Sequence, residues 1–276
     1  MKKELTVQPS DASLNALRNS FPQDPGFTRM MLPRLTLVSQ DVVEDFRNPK
    51  TGKKEIRVIT EAGTFLFERE TEDTDEETGR QIWEKTELGN KVDGTIIFQR
   101  KQLKMFVKDE GYTSTPIFDI GDEDTILPLF KGKEKIATGT ISELKAMYNF
   151  VDDKGKTRSK LGDNTILYIL IDGEMYQMNI GGTSMYAFKD YAKHVLCPSV
   201  VTTLCSVSRE NGTTKWNQMT FTTKSKLKQD EVDNILIKIS EIQQGIAAEK
   251  NFFGKQAVGV SSTEMKKLKA QADKDF

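Results

Sequence analysis

GTIIFQRKQLKMFVK (residues 94–108) and TILYILIDGEMYQMNI (residues 165–180) decide how this chain folds. In the first, Ile96, Ile97 and Phe98 make an apolar strand, and Met105, Phe106 and Val107 centre a second. In the second, two apolar arms, Thr165 to Ile171 and Glu174 to Ile180, flank Asp172 and Gly173. Asp-Gly suits a two-residue type I′ turn, whose two central residues both need positive φ. Between these stretches, Asp109 to Gly139 shows no clear period and reads as a long excursion. Thr140 and Glu143 then have the spacing of a capping box, and Leu144, Met147 and Tyr148 mark the short helix it opens. Asp152 to Gly155 leads into a basic loop.

From Gly94 the order is therefore strands, one helix, then a hairpin. A five-stranded Greek-key barrel with its helix between the third and fourth strands has this order, which is that of the OB-fold. The expected class is α+β and β-rich: an OB-like five-stranded barrel with added β-hairpins and a long C-terminal helix. A β-sandwich with inserted helices is the alternative.

Working outward, Ser10 to Phe21 reads as a helix through Leu14, Leu17 and Phe21, stopped by Pro22. Leu35 to Val38 reads as a strand, and a turn at Asn48 to Gly52 feeds another at Glu55 to Thr60. Thr64 to Glu70 and Gln81 to Thr86 read as hairpin arms around an acidic loop, Glu72 to Gly79. On the C-terminal side, Thr183 to His194 reads as a helix that Pro198 closes. Val200 to Ser208 and Thr214 to Thr223 form a hairpin through Asn211 and Gly212. A long helix spans Gln229 to Phe253, with Gly254 as its C-cap. The division is residues 1–93, an N-terminal helix and β-hairpin region; 94–227, the OB-like core; 228–254, the C-terminal helix; and 255–276, a flexible tail. The helix's apolar stripe fits either packing on its own barrel or self-association.

The 276 residues carry 40 Lys and Arg against 41 Asp and Glu, so the chain is not a simple polycation. That balance leaves room for nucleic-acid binding, because patches matter more than totals. No apolar run approaches the ~20 residues of a membrane helix, and the first residues lack the core of a signal peptide. Cys197 and Cys205 read as buried thiols of a reducing cytoplasm.

Catalytic signals are sparse. His194 is the one histidine and falls at a helix end, where the dipole favours a cation. Zinc and Cys-His chemistry have no spacing to support them. Gly181 to Ser184 reads as a tight strand-to-helix turn. The acids from Glu68 to Glu77 lack calcium-loop spacing and read as a solvated hairpin tip. No enzyme activity, cofactor or metal is expected.

The positive signal is cations interleaved with aromatics on expected strands. No acid occurs from Thr95 to Lys108, where Phe98, Arg100, Lys101, Lys104 and Phe106 lie. Lys215 and Trp216 open the last strand, and Phe221, Lys224 and Lys226 follow. Lys154, Lys156, Arg158 and Lys160 form the basic loop, and Tyr168 and Tyr176 lie on the Asp-Gly hairpin. Single strands are held this way: cations track phosphates and rings stack on bases. Arg100, Lys101, Lys104, Lys215, Lys224 and Lys226 are the expected phosphate contacts. Trp216 and Tyr176 are the expected stacking rings, with Tyr168 beside them; Phe98, Phe106 and Phe221 read as core.

The chain ends Asp273, Lys274, Asp275, Phe276. With the OB-like order over residues 94–227 and the basic strands, this ending resembles phage-type single-stranded-DNA-binding replication proteins. The resemblance implies non-catalytic coating of single-stranded DNA in replication or recombination, in a host cytoplasm. It also implies capture of Asp273, Asp275 and Phe276 by replication proteins. Lys266, Lys267, Lys269 and Lys274 depart from the acidic tail of that family. Two other functions fit the residues: a protein–protein module, such as a phage-encoded inhibitor or assembly factor, using the acidic hairpin; and a metal-dependent nuclease using scattered carboxylates.

Overall fold

The computed structural model describes residues 32–258 except 48, 50–52, 75–80, 108–109, 122–124 and 133. The helix expected over Ser10 to Phe21, most of the turn at 48–52, most of the acidic tip and the last 18 residues, 259–276, lie outside them. The strands are β1 (Arg34–Leu37), β2 (Val42–Arg47), β3 (Lys54–Thr60), β4 (Phe65–Thr74), β5 (Gln81–Glu87), β6 (Lys91–Val107), β7 (Gly111–Ser114), β8 (Leu127–Lys131), β9 (Glu134–Gly139), β10 (Asn149–Val151), β11 (Thr157–Ser159), β12 (Gly162–Ile171), β13 (Glu174–Gly181), β14 (Val200–Asn211) and β15 (Thr214–Lys226). The helices are α1 (Ile141–Ala146), α2 (Gly182–His194) and α3 (Gln229–Val258). Among the described residues no helix is long and apolar enough to cross a membrane.

The spine is β6, a single strand of 17 residues where the sequence suggests two. The polar run from Gln99 to Gln102 does not interrupt it, because Arg100 and Gln102 find internal partners and Gln99 faces solvent. Arg100 is 2% exposed; its Nε donates to Asp119 Oδ1 at 2.8 Å and its Nη2 to the Ile117 carbonyl at 2.9 Å. Gln102 Nε2 donates to the Thr115 carbonyl at 2.8 Å. β6 is hydrogen-bonded to β12 over Thr95–Lys104, to β14 over Lys91–Gly94 and to β7 over Lys104–Val107.

Around this spine one mixed sheet runs β5-β4-β1-β13-β12-β6-β7-β8-β9, with the β14–β15 hairpin joined to β6. Ribbons β2–β3 and β10–β11 stand apart from it. The order is β6, β7, β8, β9, α1, β10, β11, β12, β13: the helix still precedes the Asp172-Gly173 hairpin, but β9 comes before it and the β10–β11 ribbon after it, where the five-strand order has neither. The Asp172-Gly173 turn has φ of 49° and 83°, as type I′ requires. The barrel itself is not closed. Among the described residues no pairing joins β8 or β9 to β13. The outer edge of β13 is taken instead by β1, in parallel, with Arg34 opposite Gln177. The N-terminal strands β1, β4 and β5 thereby extend the same sheet.

Two apolar clusters back the sheet. Leu35, Phe65, Ile96, Leu167, Ile169 and Met178 meet Phe188 of α2 and Met219 and Phe221 of β15. Leu103, Met105 and Leu129 meet Leu144 of α1 and Leu161. α1 opens with the anticipated capping box between Thr140 and Glu143. α3 runs through Gly254 to Val258, so that glycine is no cap, and it buries Ile235 and Ile242. The excursion at 109–139 contains β7, β8 and β9. These strands are short and turn at Gly132 (φ 61°), which hides their period.

Gly94 sits where β6 passes from β14 to β12. A Cβ there would lie 2.8 Å from Ile169 Cγ2 and 3.0 Å from the Leu170 carbonyl oxygen. Gly94→Ala should therefore destabilise the protein by about 1–3 kcal/mol, as overpacking does. A lower urea midpoint at unchanged m-value is expected; an unchanged midpoint would mean that the strands can part freely there.

Candidate nucleic-acid interface

Directly opposed residues of paired strands share a face, as do residues i and i+2 along a strand. On the face of β6 away from Leu103 and Met105 stand Gln102, Lys104 and Phe106. The register carries that face across its neighbours. Lys104 is opposite Ser114, Ser114 opposite Phe130, and Phe130 opposite Lys135; Phe106 is opposite Tyr112. Toward β12 and β13, Gln102 is opposite Asn164, and Arg100, Ile166 and Asn179 form the next row. Asn179 Nδ2 donates to Gln102 Oε1 at 3.3 Å, as a shared face requires.

At the centre of this face two rings project into solvent. Phe106 is 61% exposed and Tyr112 is 55% exposed. Their centroids lie 4.9 Å apart at 51°, and Lys104 Nζ sits 4.0 Å from the Tyr112 centroid. Burial, and then the charge of Arg34, push the Lys104 ammonium below the usual lysine range. A phosphate oxygen beside these cations would relieve that repulsion. Arg34 itself lies over the Trp83 ring at 4.5 Å. The rows from Gln102 to Lys135 present cations, amides, a hydroxyl and rings, and no carboxylate.

The residues singled out by sequence do not gather in one place. Lys104 belongs to the exposed face, and Lys101 is half-buried on β6. Arg100 is buried with Asp119, so its guanidinium serves the fold. Tyr168 is 3% exposed and stacks edge-on against Phe98 at 6.0 Å. Tyr176 is 4% exposed, packs on Phe67 at 4.3 Å and donates to Glu174 Oε2 at 2.5 Å. Burial, then the Glu174 carboxylate, push its phenol far above the usual range. The sequence assigned a stacking role to Tyr176 and core to Phe106; the structure buries Tyr176 and exposes Phe106. Alternation around Leu103 and Met105 was the available signal for Phe106, while Tyr112 fell in the segment without a period.

The last four candidates lie on the β14–β15 hairpin. Lys215 is exposed near its tip, opposite Glu210, and Trp216 is half-buried opposite Arg209, its Nε1 without a hydrogen-bond partner. Lys224 and Lys226 are exposed at the other end, about 30 Å away at the rise of a β-strand. Lys224 Nζ pairs with Asp93 Oδ2 at 2.7 Å, and with Thr203 it holds the Asp93 carboxyl below the usual range. The partner residues Asp273, Asp275 and Phe276 lie outside the described residues. Cys197 and Cys205 are free thiols, the first buried and the second half-buried. Among the described residues no three His, Cys, Asp or Glu side chains are grouped to hold a metal ion.

No protein-family model, curated protein or solved structure matches the chain.

Arg100→Ala would leave Asp119 and the Ile117 carbonyl without their partner. Since Asp119 keeps some solvent contact, the cost should fall near the low end of the ~3–5 kcal/mol seen for broken buried pairs. Chemical denaturation should show that loss, and Arg100→Lys should restore little of it, because lysine lacks the fork that reaches both acceptors. Full stability in the alanine variant would contradict the structural role.

Proposed function

We propose that this chain binds single-stranded nucleic acid, with single-stranded DNA the intended polymer, and acts without catalysis in replication or recombination. The observation that carries the reading is the exposed Phe106–Tyr112 pair with Lys104, on rows of the sheet from Gln102 to Lys135 that carry no carboxylate. Two adjacent exposed rings on a strand pair are hard to justify as core. They suit bases, whose faces stack on aromatics whatever the sequence. Lys104 and Lys135 supply charge for phosphates, with Arg34, which faces Glu68 of β4, adding to the potential. Asn164 and Asn179 supply donors and acceptors for base edges or sugars, with Gln102 holding Asn179 in place. A helix between the β6–β9 strands and the β12–β13 hairpin, with β6 antiparallel to β12, is in keeping with an OB-like arrangement enlarged by β9 and the β10–β11 ribbon, in which β1 occupies the edge of β13.

Anisotropy of a fluorescein-labelled oligothymidylate, titrated at low and moderate salt, tests this. Tight binding that weakens with salt is expected, because phosphate contacts release counterions. Tyr112→Ala and Phe106→Ala should each weaken it by about 1–3 kcal/mol, roughly tenfold to a hundredfold. Absence of binding at low salt would overturn the reading, and a pull-down through the acidic β4–β5 hairpin would then be the next step.

A further inference from the structure

We infer that the β10–β11 ribbon is a preorganised finger that makes a second contact with the same single strand; the inference rests on the reading proposed above. The ribbon has strands of three residues, with Asn149 opposite Ser159, Phe150 opposite Arg158 and Val151 opposite Thr157. Ribbons this short do not hold themselves together in water. This one is fixed at both ends. At its root, Lys160 N donates to the Tyr148 carbonyl at 3.0 Å and Ser159 Oγ to the Lys145 carbonyl at 2.8 Å. The α1 segment that receives these bonds buries Ile141 and Leu144, and Leu161 is 1% exposed.

At its tip, one carboxylate organises the loop. Asp152 Oδ1 accepts from Lys154 N at 3.0 Å and Lys156 N at 2.9 Å, while Oδ2 accepts from Arg158 Nε. The backbone bond from Lys156, then the Arg158 guanidinium, hold its carboxyl below the usual aspartate range. Asp152 is thus turned into the loop, and the side chains of Lys154, Lys156 and Lys160 are left exposed. Phe150, 39% exposed, shares a face with Arg158, whose side chain is 60% exposed. A ring beside a guanidinium, ringed by lysines, is again the chemistry of a stacked base and its phosphates.

The finger is rooted on the Leu103 and Leu144 side of the sheet, at the start of β12. β11 ends at Ser159, and Gly162 is the Cα partner of Lys104. Three residues of chain reach at most about 11 Å. A strand stacked on Tyr112 and passing Lys104 would reach the finger by rounding this end of β12.

Affinity should be measured on a short and a long oligothymidylate across a salt series. For the triple variant Lys154→Ala, Lys156→Ala, Lys160→Ala, the long oligomer should bind more weakly, and its log–log salt slope should fall by about 2, given ~0.7 per phosphate contact on single strands. Asp152→Ala separates organisation from charge. It makes the finger more positive, so charge alone would tighten binding, whereas a disordered tip weakens it on the long oligomer. Unchanged slope and affinity in the triple variant, with Tyr112→Ala still weakening both oligomers, would overturn the finger and leave the proposed function standing. Failure of the unsubstituted protein to bind either oligomer would overturn both.

Discussion

The close approach of β6 to its three partner strands governs the rest of the structure. A 17-residue strand can bond to β12, β14 and β7 only if its side chains permit all three contacts. Gly94 gives up its side chain where β12 crowds in, and Arg100 buries its charge by reaching Asp119 and the Ile117 carbonyl. Past the irregularity at Ile97, β6 alternates from Gln102 onward. Leu103 and Met105 enter the second core, and Gln102, Lys104 and Phe106 reach the opposite face.

That alternation connects stability to the candidate site. The apolar half of β6 fixes the register, and a slip of one residue would send Phe106 inward and Met105 out. The exposed rings are thus placed by the same constraint that packs Leu103 against Leu129 and Leu144. The cations near them belong to different strands, Lys104 to β6, Lys135 to β9 and Arg34 to β1. Only the folded sheet assembles them. The β10–β11 ribbon adds a different device, in which one half-buried carboxylate, Asp152, orders a loop that leaves Lys154, Lys156 and Lys160 exposed.

The local elements were legible where chemistry is local. The Asp172-Gly173 turn, the Thr140–Glu143 capping box and the α2 helix follow from neighbouring residues. What depends on distant partners was not. Arg100 looked like a phosphate ligand because its partner, Asp119, lies 19 positions away in a segment without a period. Tyr176 looked exposed because the ring covering it, Phe67, belongs to β4. The edge of β13 looked available to close a barrel because nothing in Arg34–Leu37 announces a parallel pairing with it. Tyr112 needed the β6–β7 register before it could be placed beside Phe106.

Photocross-linking places the bound strand most directly. An oligothymidylate carrying 5-iododeoxyuridine, irradiated in complex with the protein and mapped by peptide mass spectrometry, should form adducts at Phe106 or Tyr112, whose rings are exposed and adjacent. Adducts confined to Trp216 and the β14–β15 hairpin, with none on β6 or β7, would contradict the account and move the interface to that hairpin.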